Sequence, residues 1–160
     1  MPTLRSSSIA DTRGIAAAVA GLAQRGDVIV LAGEMGAGKT AFAQGFGVAL
    51  GVTEPMTSPT FTLVHEYRVG KLTLLHADLY RLSTQHEVAD LALAELVEAD
   101  GVLLVEWGEV VASMLGDHLM VRLSTIDGAD DARVVEVSAV GRAWAARWER
   151  LCQRLGDWTC

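Results

Sequence analysis

A glycine-rich segment, GEMGAGKT at 33–40, directly follows a short apolar run, VIVLA at 28–32. That run has the length and β-branched content of a buried strand in a parallel sheet. Apolar residues from Lys39 to Leu50 then predict an amphipathic helix, which Gly51 should end. A strand, a glycine-rich loop and a helix in this order predict an α/β fold with the loop at the carboxyl edge of a sheet.

The glycine-rich segment has the spacing of a phosphate-binding loop, a glycine and four residues before Gly-Lys-Thr. Its glycines let successive backbone N–H groups point inward as an anion nest, and the next helix adds its positive dipole end. Lys39 would reach the β- and γ-phosphates of a nucleotide and support catalysis, while the Thr40 hydroxyl would bind Mg²⁺. The expected nucleotide contacts in this segment are Glu34, Met35, Gly36, Ala37, Gly38, Lys39 and Thr40.

Two other predicted strands end in carboxylates. Glu106 closes the buried run VLLVEW, so it should lie at the same sheet edge and join Thr40 as a metal ligand. His76-Ala77-Asp78 ends another strand, which places His76 and Asp78 on one face. Asp78 is the candidate for orienting water or helping to hold the metal. Without the phosphate loop, both carboxylates would fit ordinary solvated strand ends.

The hydroxyl-rich segment Thr57-Ser58-Pro59-Thr60 fits a loop that senses the γ-phosphate, with Thr60 as the nucleotide contact. The base is predicted from an absence in the sequence. Guanine-specific proteins with such loops usually carry Asn or Thr, then Lys, then Asp two residues later. The only lysines are Lys39 and Lys71, and Leu72-Thr73 follows Lys71. ATP is therefore favoured over GTP.

The other segments predict a single domain over residues 1–160, a three-layer α/β arrangement with a mixed, mainly parallel central sheet. The predicted helices cover 11–25, capped by Asp11 or Thr12, then 85–99, 109–115 and the tryptophan-bearing tail 141–158. The remaining predicted strands are 61–69, 71–79, 101–107, 118–126 and 132–140, with turns at Gly70-Lys71 and Asp127-Gly128.

Composition limits the partners and the compartment. The net charge of −7 argues against broad nonspecific binding to nucleic acid, which requires surplus Lys and Arg. No apolar run reaches the length of a membrane span, and the N-terminus lacks the apolar stretch of a signal peptide. Cys152 and Cys160 lack metal-ligand spacing and are expected to be free thiols. A cytoplasmic protein with no membrane association is expected.

Four motifs follow one another along the chain: GEMGAGKT, SPTFTLVHEY, HADLYRL and LLVEWGE. Together they resemble the bacterial TsaE family, small ATPases required for threonylcarbamoyladenosine modification of tRNA, over about residues 12–133. The resemblance implies slow hydrolysis of ATP with Mg²⁺ as cofactor. It also implies a complex with TsaB and TsaD homologues, in which TsaD carries the transferase chemistry on adenosine 37. Contact with tRNA would then be indirect, through the complex.

The resemblance also implies roles for individual residues. It repeats the phosphate role of Gly36–Thr40, the metal role of Thr40 and Glu106, and support of hydrolysis by Asp78. Thr12 stands where the family places a residue near the adenine. Arg133, in the stretch DDAR, matches a family position that contacts the nucleotide.

Two alternatives come from other functional classes. A small-molecule or nucleotide kinase would share the phosphate loop but usually needs an arginine-rich lid, and no arginine cluster follows 85–99. A module that senses ATP without turnover would share the whole site. Phosphorylation of acceptors would identify the kinase, and single-turnover hydrolysis would separate an ATPase from a sensor.

Overall fold

A computed structural model describes residues 2–34, 36–57, 64–78, 101–106 and 116–159. Its strands are β1 (Thr3–Ser6), β2 (Val28–Ala32), β3 (Val64–Val69), β4 (Leu72–Asp78), β5 (Gly101–Glu106), β6 (His118–Ile126) and β7 (Ala129–Val140). Its α-helices are α1 (Ile9–Ala20), α2 (Lys39–Leu50) and α3 (Trp148–Arg154). The seven strands form one sheet in the order β1-β7-β6-β2-β5-β4-β3.

The centre of the sheet is parallel and its flanks are antiparallel. β2 pairs with β5 and β6 in parallel, and β5 pairs with β4 in parallel. The outer pairs β3–β4, β6–β7 and β1–β7 are antiparallel. The predicted α/β class is therefore confirmed, with a mixed sheet that is mostly parallel in its core. β2 lies in the middle, so the loop that follows it emerges at the centre of the carboxyl edge.

β2 is buried on both faces. Ile29 and Leu31 belong to the same hydrophobic core as Leu104 and as side chains of α1 and α2. Val30 and Val105 point to the opposite face and are equally inaccessible to solvent. Burial on both faces explains why VIVLA is continuously apolar instead of alternating.

Helix α1 starts two residues before the predicted position. Ser8 is its N-cap, and the Ser8 side chain accepts a hydrogen bond from the backbone N–H of Asp11. The Asp11 carboxylate accepts in return from the N–H of Ser7. The prediction that Asp11 or Thr12 caps the helix was wrong, because the side chain of Ser8, three residues before Asp11, accepts the bond from the first turn. The helix also ends at Ala20 instead of residue 25.

Strand β1 was not predicted. It has four residues, and only Leu4 and Ser6 alternate as buried positions, which is too short for a periodic signal. Its pairing with β7 matches Ser6 with Arg133 and Leu4 with Val135. This register brings the start of α1 close to the strand that carries Arg133.

Both predicted hairpins are present within the described ranges. Gly70 has a positive φ of 61° between β3 and β4, and Gly128 has one of 78° between β6 and β7. β7 begins at Ala129, three residues earlier than predicted, and so runs further beside β6. The predicted helices at 85–99 and 109–115, the end of the strand at Trp107 and the loop residues 58–60 lie outside the described residues.

The tail does not form the single predicted helix. A 3₁₀ turn (Ala145–Arg147), helix α3 and a second 3₁₀ turn (Gly156–Trp158) follow one another. The expected packing is nevertheless present, because Trp144, Leu151 and Leu155 are buried in the core. Trp148 packs against it from a partly buried position.

A buried ion pair fixes this tail to the start of β2. The Arg147 guanidinium donates to both carboxylate oxygens of Asp27, at 2.6 and 2.9 Å. It also donates to the carbonyl oxygens of Leu22 and Ala143 and lies 4.0 Å above the ring of Trp144. Both charged side chains are about 95% buried, so each needs the other's charge to compensate for its lost hydration.

Cys152 is a free cysteine, and Cys160 lies outside the described residues. Among the described helices, none has the length and apolar composition to cross a bilayer.

Replacing Arg147 should destabilise the fold strongly, because it removes the ion-pair partner of the buried Asp27. We expect Arg147→Ala to lower the free energy of unfolding by about 3–5 kcal/mol, because Asp27 keeps a buried charge without its partner. Arg150→Ala is the matched control, since Arg150 is exposed on α3, directly after the 3₁₀ turn that carries Arg147, and should change stability by less than about 0.5 kcal/mol. Urea unfolding followed by circular dichroism measures both. Equal small effects would show that the ion pair does not anchor the tail.

Candidate functional site

The loop after β2 is shaped by glycines with positive φ, a backbone conformation that other residues rarely adopt. Gly33 has a φ of 146°, and a Cβ added there would lie 2.5 Å from the carbonyl oxygen of Leu123 on β6. Gly38 has a φ of 103° and serves as the N-cap of α2 without a side-chain hydrogen bond. The first glycine therefore allows close approach to the sheet, and the last turns the chain into the helix.

The side chain of Lys39 lies inside this loop. It is the first residue of α2, it is only 5% exposed, and its ammonium donates to the carbonyl oxygen of Gly33 at 2.5 Å. Thr40, the next residue, is exposed. The first N–H groups of α2 have no carbonyl partners within the helix, so they add a positive dipole end. A lysine charge, helix N–H groups and an exposed hydroxyl are thus concentrated at one point.

The carboxylates of Glu106 and Asp78 lie on adjacent strand ends. Glu106 ends β5, where the register matches it with Leu31 of β2 and with Asp78 of β4. Residues matched across parallel strands share a face, so both carboxylates lie on the face of the sheet that carries Leu31. Gly33, where the glycine-rich loop begins, is two residues beyond Leu31. The structure therefore brings the two predicted acidic residues to the edge from which this loop starts.

His76 holds Glu106 in place. Its Nε2 is 2.6 Å from Oε2 of Glu106, and both side chains are almost completely buried. A carboxylate can only accept, so Nε2 carries the proton of this hydrogen bond. The other ring nitrogen, Nδ1, is buried without a hydrogen-bond partner among the described residues. The sequence placed His76 beside Asp78 on one face, but it gave no indication of the pairing with Glu106.

The oxygen donors at this edge suit Mg²⁺. They are the Thr40 hydroxyl and the carboxylates of Glu106 and Asp78, and Mg²⁺ prefers oxygen ligands. Nowhere in the described ranges do three His, Cys, Asp or Glu side chains come together as an all-protein metal site. A partial set of this kind is what Mg²⁺ uses when phosphate oxygens and water complete its coordination. The predicted metal ligands therefore fit the ion chemically.

Arg133 contacts the loop directly, and Thr12 is linked through Ser6 to the strand that carries Arg133. Arg133 on β7 donates from Nε to the carbonyl oxygen of Ala37 at 2.9 Å and from Nη2 to that of Gly36 at 3.1 Å. Thr12 is buried in the first turns of α1, and its hydroxyl is 2.7 Å from that of Ser6. Ser6 is matched with Arg133 in the β1–β7 pair. The family resemblance implied roles for Thr12 and Arg133, and sequence reasoning missed Ser6 between them because β1 carries no pattern.

The segment that leads to the hydroxyl-rich loop is anchored at Tyr67 of β3. Burial raises the pKa of the Tyr67 hydroxyl, and a hydrogen bond with the backbone of Thr57 partly opposes that shift in pKa. Met56, one residue before Thr57, packs into the core against Gly47 of α2. Thr57 is thereby held beside the sheet. Met35 and Thr60, both predicted to contact the nucleotide, lie outside the described residues.

A cavity of about 700 Å³ lies elsewhere, between α1 and α2. Apolar atoms form most of its wall, and Arg13, Gln44, Val48 and Met56 are among its residues. None of the predicted site residues lines this cavity. It is therefore separate from the loop and the carboxylates.

Comparisons with known proteins agree on one family. The family model described as "Threonylcarbamoyl adenosine biosynthesis protein TsaE" matches residues 6–135. The tRNA threonylcarbamoyladenosine biosynthesis protein TsaE of Bacillus subtilis is 40% identical over 91% of this chain and 87% of its own. That of Treponema pallidum is 42% identical over 83% and 97%. The crystal structure of Bacillus subtilis YdiB superposes with a TM-score of 0.76 at 35% identity, covering 97% of this chain and 93% of that one.

The close approach at Gly33 gives a test of the loop geometry. Gly33→Ala should lower the free energy of unfolding by about 3 kcal/mol or more, because its Cβ would collide with the Leu123 carbonyl in a strained backbone. Gly26→Ala is the matched control, with a positive φ of 86° but open space around its Cβ. We expect about 1 kcal/mol for that variant. Chemical denaturation of both proteins measures the difference, and equal losses would contradict the described packing of the loop on β6.

Proposed function

Because the chain belongs to the TsaE family of tRNA threonylcarbamoyladenosine biosynthesis proteins, we propose that it is an ATP-binding and slowly ATP-hydrolysing component of that machinery. The observation that carries the proposal is the meeting of Lys39 and the glycine loop with Glu106 and Asp78 at one sheet edge. A phosphate-binding element and a carboxylate pair are the two parts that nucleotide hydrolysis with Mg²⁺ requires. We also propose that the chain works as a single domain.

The binding of ATP follows from the charge and the hydrogen-bond donors of the loop. The backbone of residues 34–40 would surround the phosphates, with the N–H groups at the start of α2 and the Lys39 ammonium as the donors. Lys39 already occupies the inside of the loop, where it donates to Gly33. A polyphosphate oxygen would offer this ammonium a full negative charge in place of a neutral carbonyl dipole.

The metal would be held by Thr40 and Glu106, and it would neutralise charge on the β- and γ-phosphates. Glu106 is buried, and its hydrogen bond from His76 fixes one carboxylate oxygen. The second oxygen of the same carboxylate is thereby given a defined direction. Asp78, matched with Glu106 on the next strand, would orient the attacking water. Because Asp78 ends a different strand, its role can be separated experimentally from that of Glu106.

We place the adenine next to the first turns of α1. Thr12 lies there, and its link through Ser6 to the Arg133 strand brings this helix start close to the phosphate loop. The Thr12 hydroxyl is already bonded to Ser6, so its methyl group and the surrounding backbone would form the contact. Thr60 would contact the γ-phosphate from the hydroxyl-rich segment that begins at Thr57.

The partners in this proposal are TsaB and TsaD homologues, with tRNA reached through them and the cytoplasm as the compartment. TsaE family membership is the support for this step, since the relatives are named for threonylcarbamoyladenosine biosynthesis. The net charge of −7 agrees with indirect contact, because direct nonspecific binding of tRNA requires a cationic surface.

Replacing the two carboxylates should produce different defects. Asp78→Ala should keep near-normal MgATP affinity and lose most hydrolysis, because an interaction made only in the transition state affects turnover alone. Glu106→Ala should weaken the Mg²⁺ dependence of ATP binding as well as turnover. Magnesium titrations of ATP binding, paired with single-turnover hydrolysis, measure both effects.

Glu66→Ala serves as the control for the loss of a carboxylate, since Glu66 is exposed on β3. It should leave both measurements unchanged. Hydrolysis at the parent rate by Asp78→Ala would remove its catalytic role. Absence of hydrolysis in the parent protein would instead favour a sensor that binds ATP without turnover.

Binding to the TsaB and TsaD pair should depend on the nucleotide. We expect the ATP-bound and ADP-bound forms to differ in affinity for the pair by more than about 1 kcal/mol, a usual size for coupling between sites. Lys39→Ala is the control with weakened nucleotide binding. It loses a charge-assisted contact of about 1.5–3 kcal/mol, so its ATP affinity should fall at least ~10-fold. Analytical co-elution at saturating nucleotide measures the difference. Equal affinities in both states would rule out a nucleotide switch.

A further inference from the structure

Arg133 makes a set of hydrogen bonds that a phosphate-contacting arginine would not need. Its guanidinium carries five N–H donors. Nε and Nη2 donate to the carbonyls of Ala37 and Gly36, and Nη1 donates to those of Asp130 and Ala132 at 2.6 and 2.8 Å. Four donors are thus committed to backbone oxygens, two in the loop and two in β7 itself.

The two loop bonds fix the direction of two consecutive peptide groups. In a trans peptide the C=O and the N–H point in opposite directions. Holding the Ala37 carbonyl against Arg133 therefore turns the N–H of Gly38 to the opposite side, toward the inside of the loop. The Gly36–Ala37 peptide is held at both ends, because its carbonyl accepts from Arg133 and its N–H donates to the Glu34 carbonyl at 3.0 Å.

The sheet makes this clamp rigid. Arg133 is anchored in β7 between β1 and β6, matched with Ser6 on one side and Thr125 on the other. It contacts a loop that is 96 residues away in the chain. A Cβ at Gly38 would lie 3.7 Å from Nε, so the guanidinium follows the loop backbone from Gly36 to Gly38.

We propose that Arg133 is a positioning residue, which orients the phosphate loop by holding its outward carbonyls and does not itself bind the phosphates. This inference rests on the proposed ATP binding, and it replaces the direct nucleotide contact that the family resemblance implied. A lysine cannot substitute, because one ammonium on a flexible chain does not reproduce the planar fork across two neighbouring carbonyls.

The test compares Arg133→Gln and Arg133→Lys with the parent chain by calorimetric titration of ATP and ADP. Both variants should lose about 10-fold or more in affinity for both nucleotides, since hydrogen bonds to a charged group are lost on the loop itself. The loss should be equal for ATP and ADP, and kcat at saturating MgATP should stay near the parent value. Arg5→Gln is the matched control for charge, because Arg5 is exposed on the opposite face of β1, beside Val134.

A loss confined to ATP, or recovery by lysine, would show that Arg133 contacts the γ-phosphate and would overturn the proposal. Parent-like affinity in Arg133→Gln would overturn it as well. Hydrogen exchange of residues 36–40 in the nucleotide-free protein gives a second measurement, in which Arg133→Gln should exchange at least several-fold faster than the parent. That measurement tests the clamp even if the parent fails to bind ATP, in which case the proposed function fails separately. Unchanged exchange would overturn the clamp.

Discussion

The whole site depends on the burial of β2 between two parallel neighbours. A strand that is covered on both faces and paired on both edges has one possible register, and its carboxyl end is fixed relative to β5 and β6. The loop begins at that end, so the position of Gly33 against the Leu123 carbonyl is set by the sheet. The same register brings Glu106 and Asp78 to the edge from which the loop emerges.

The charged side chains that are buried within the described ranges have hydrogen-bonding partners. Asp27 and Arg147 are paired through two hydrogen bonds, and they connect the tail to the start of β2. Glu106 is paired with His76 and Lys39 donates to a loop carbonyl, and both of these charged groups are almost fully buried. The first pair serves the fold, since Asp27 and Arg147 bond to each other and to nearby backbone groups. Lys39 and Glu106 lie where phosphates and a cation would strengthen their interactions, which is the arrangement expected of a binding site.

The sequence predicted those features that a local pattern encodes. VIVLA, the loop glycines, α2 and both hairpin turns carry strong composition signals, and the structure places them as expected. No such pattern marks β1, whose four residues have no measurable period. None marks Ser8 either, whose capping role depends on the hydrogen bond that it accepts from the N–H of Asp11. In the tail, the residues that were predicted to pack inward do so, but two 3₁₀ turns and a short helix replace the predicted continuous helix. Contacts such as Arg133 with Ala37 or His76 with Glu106 join residues far apart in the chain, and only the strand register reveals them.

Backbone hydrogen exchange with and without MgATP tests the central claim most directly, because the claim concerns the N–H groups of one loop. Saturating MgATP should slow exchange in residues 36–40 at the start of α2, where the phosphates are expected to accept hydrogen bonds. The cavity between α1 and α2 provides an internal reference, since its residues Val48 and Ala49, at the C-terminal end of α2, should exchange as before. Protection that appears at the cavity while the loop remains unchanged would contradict the account.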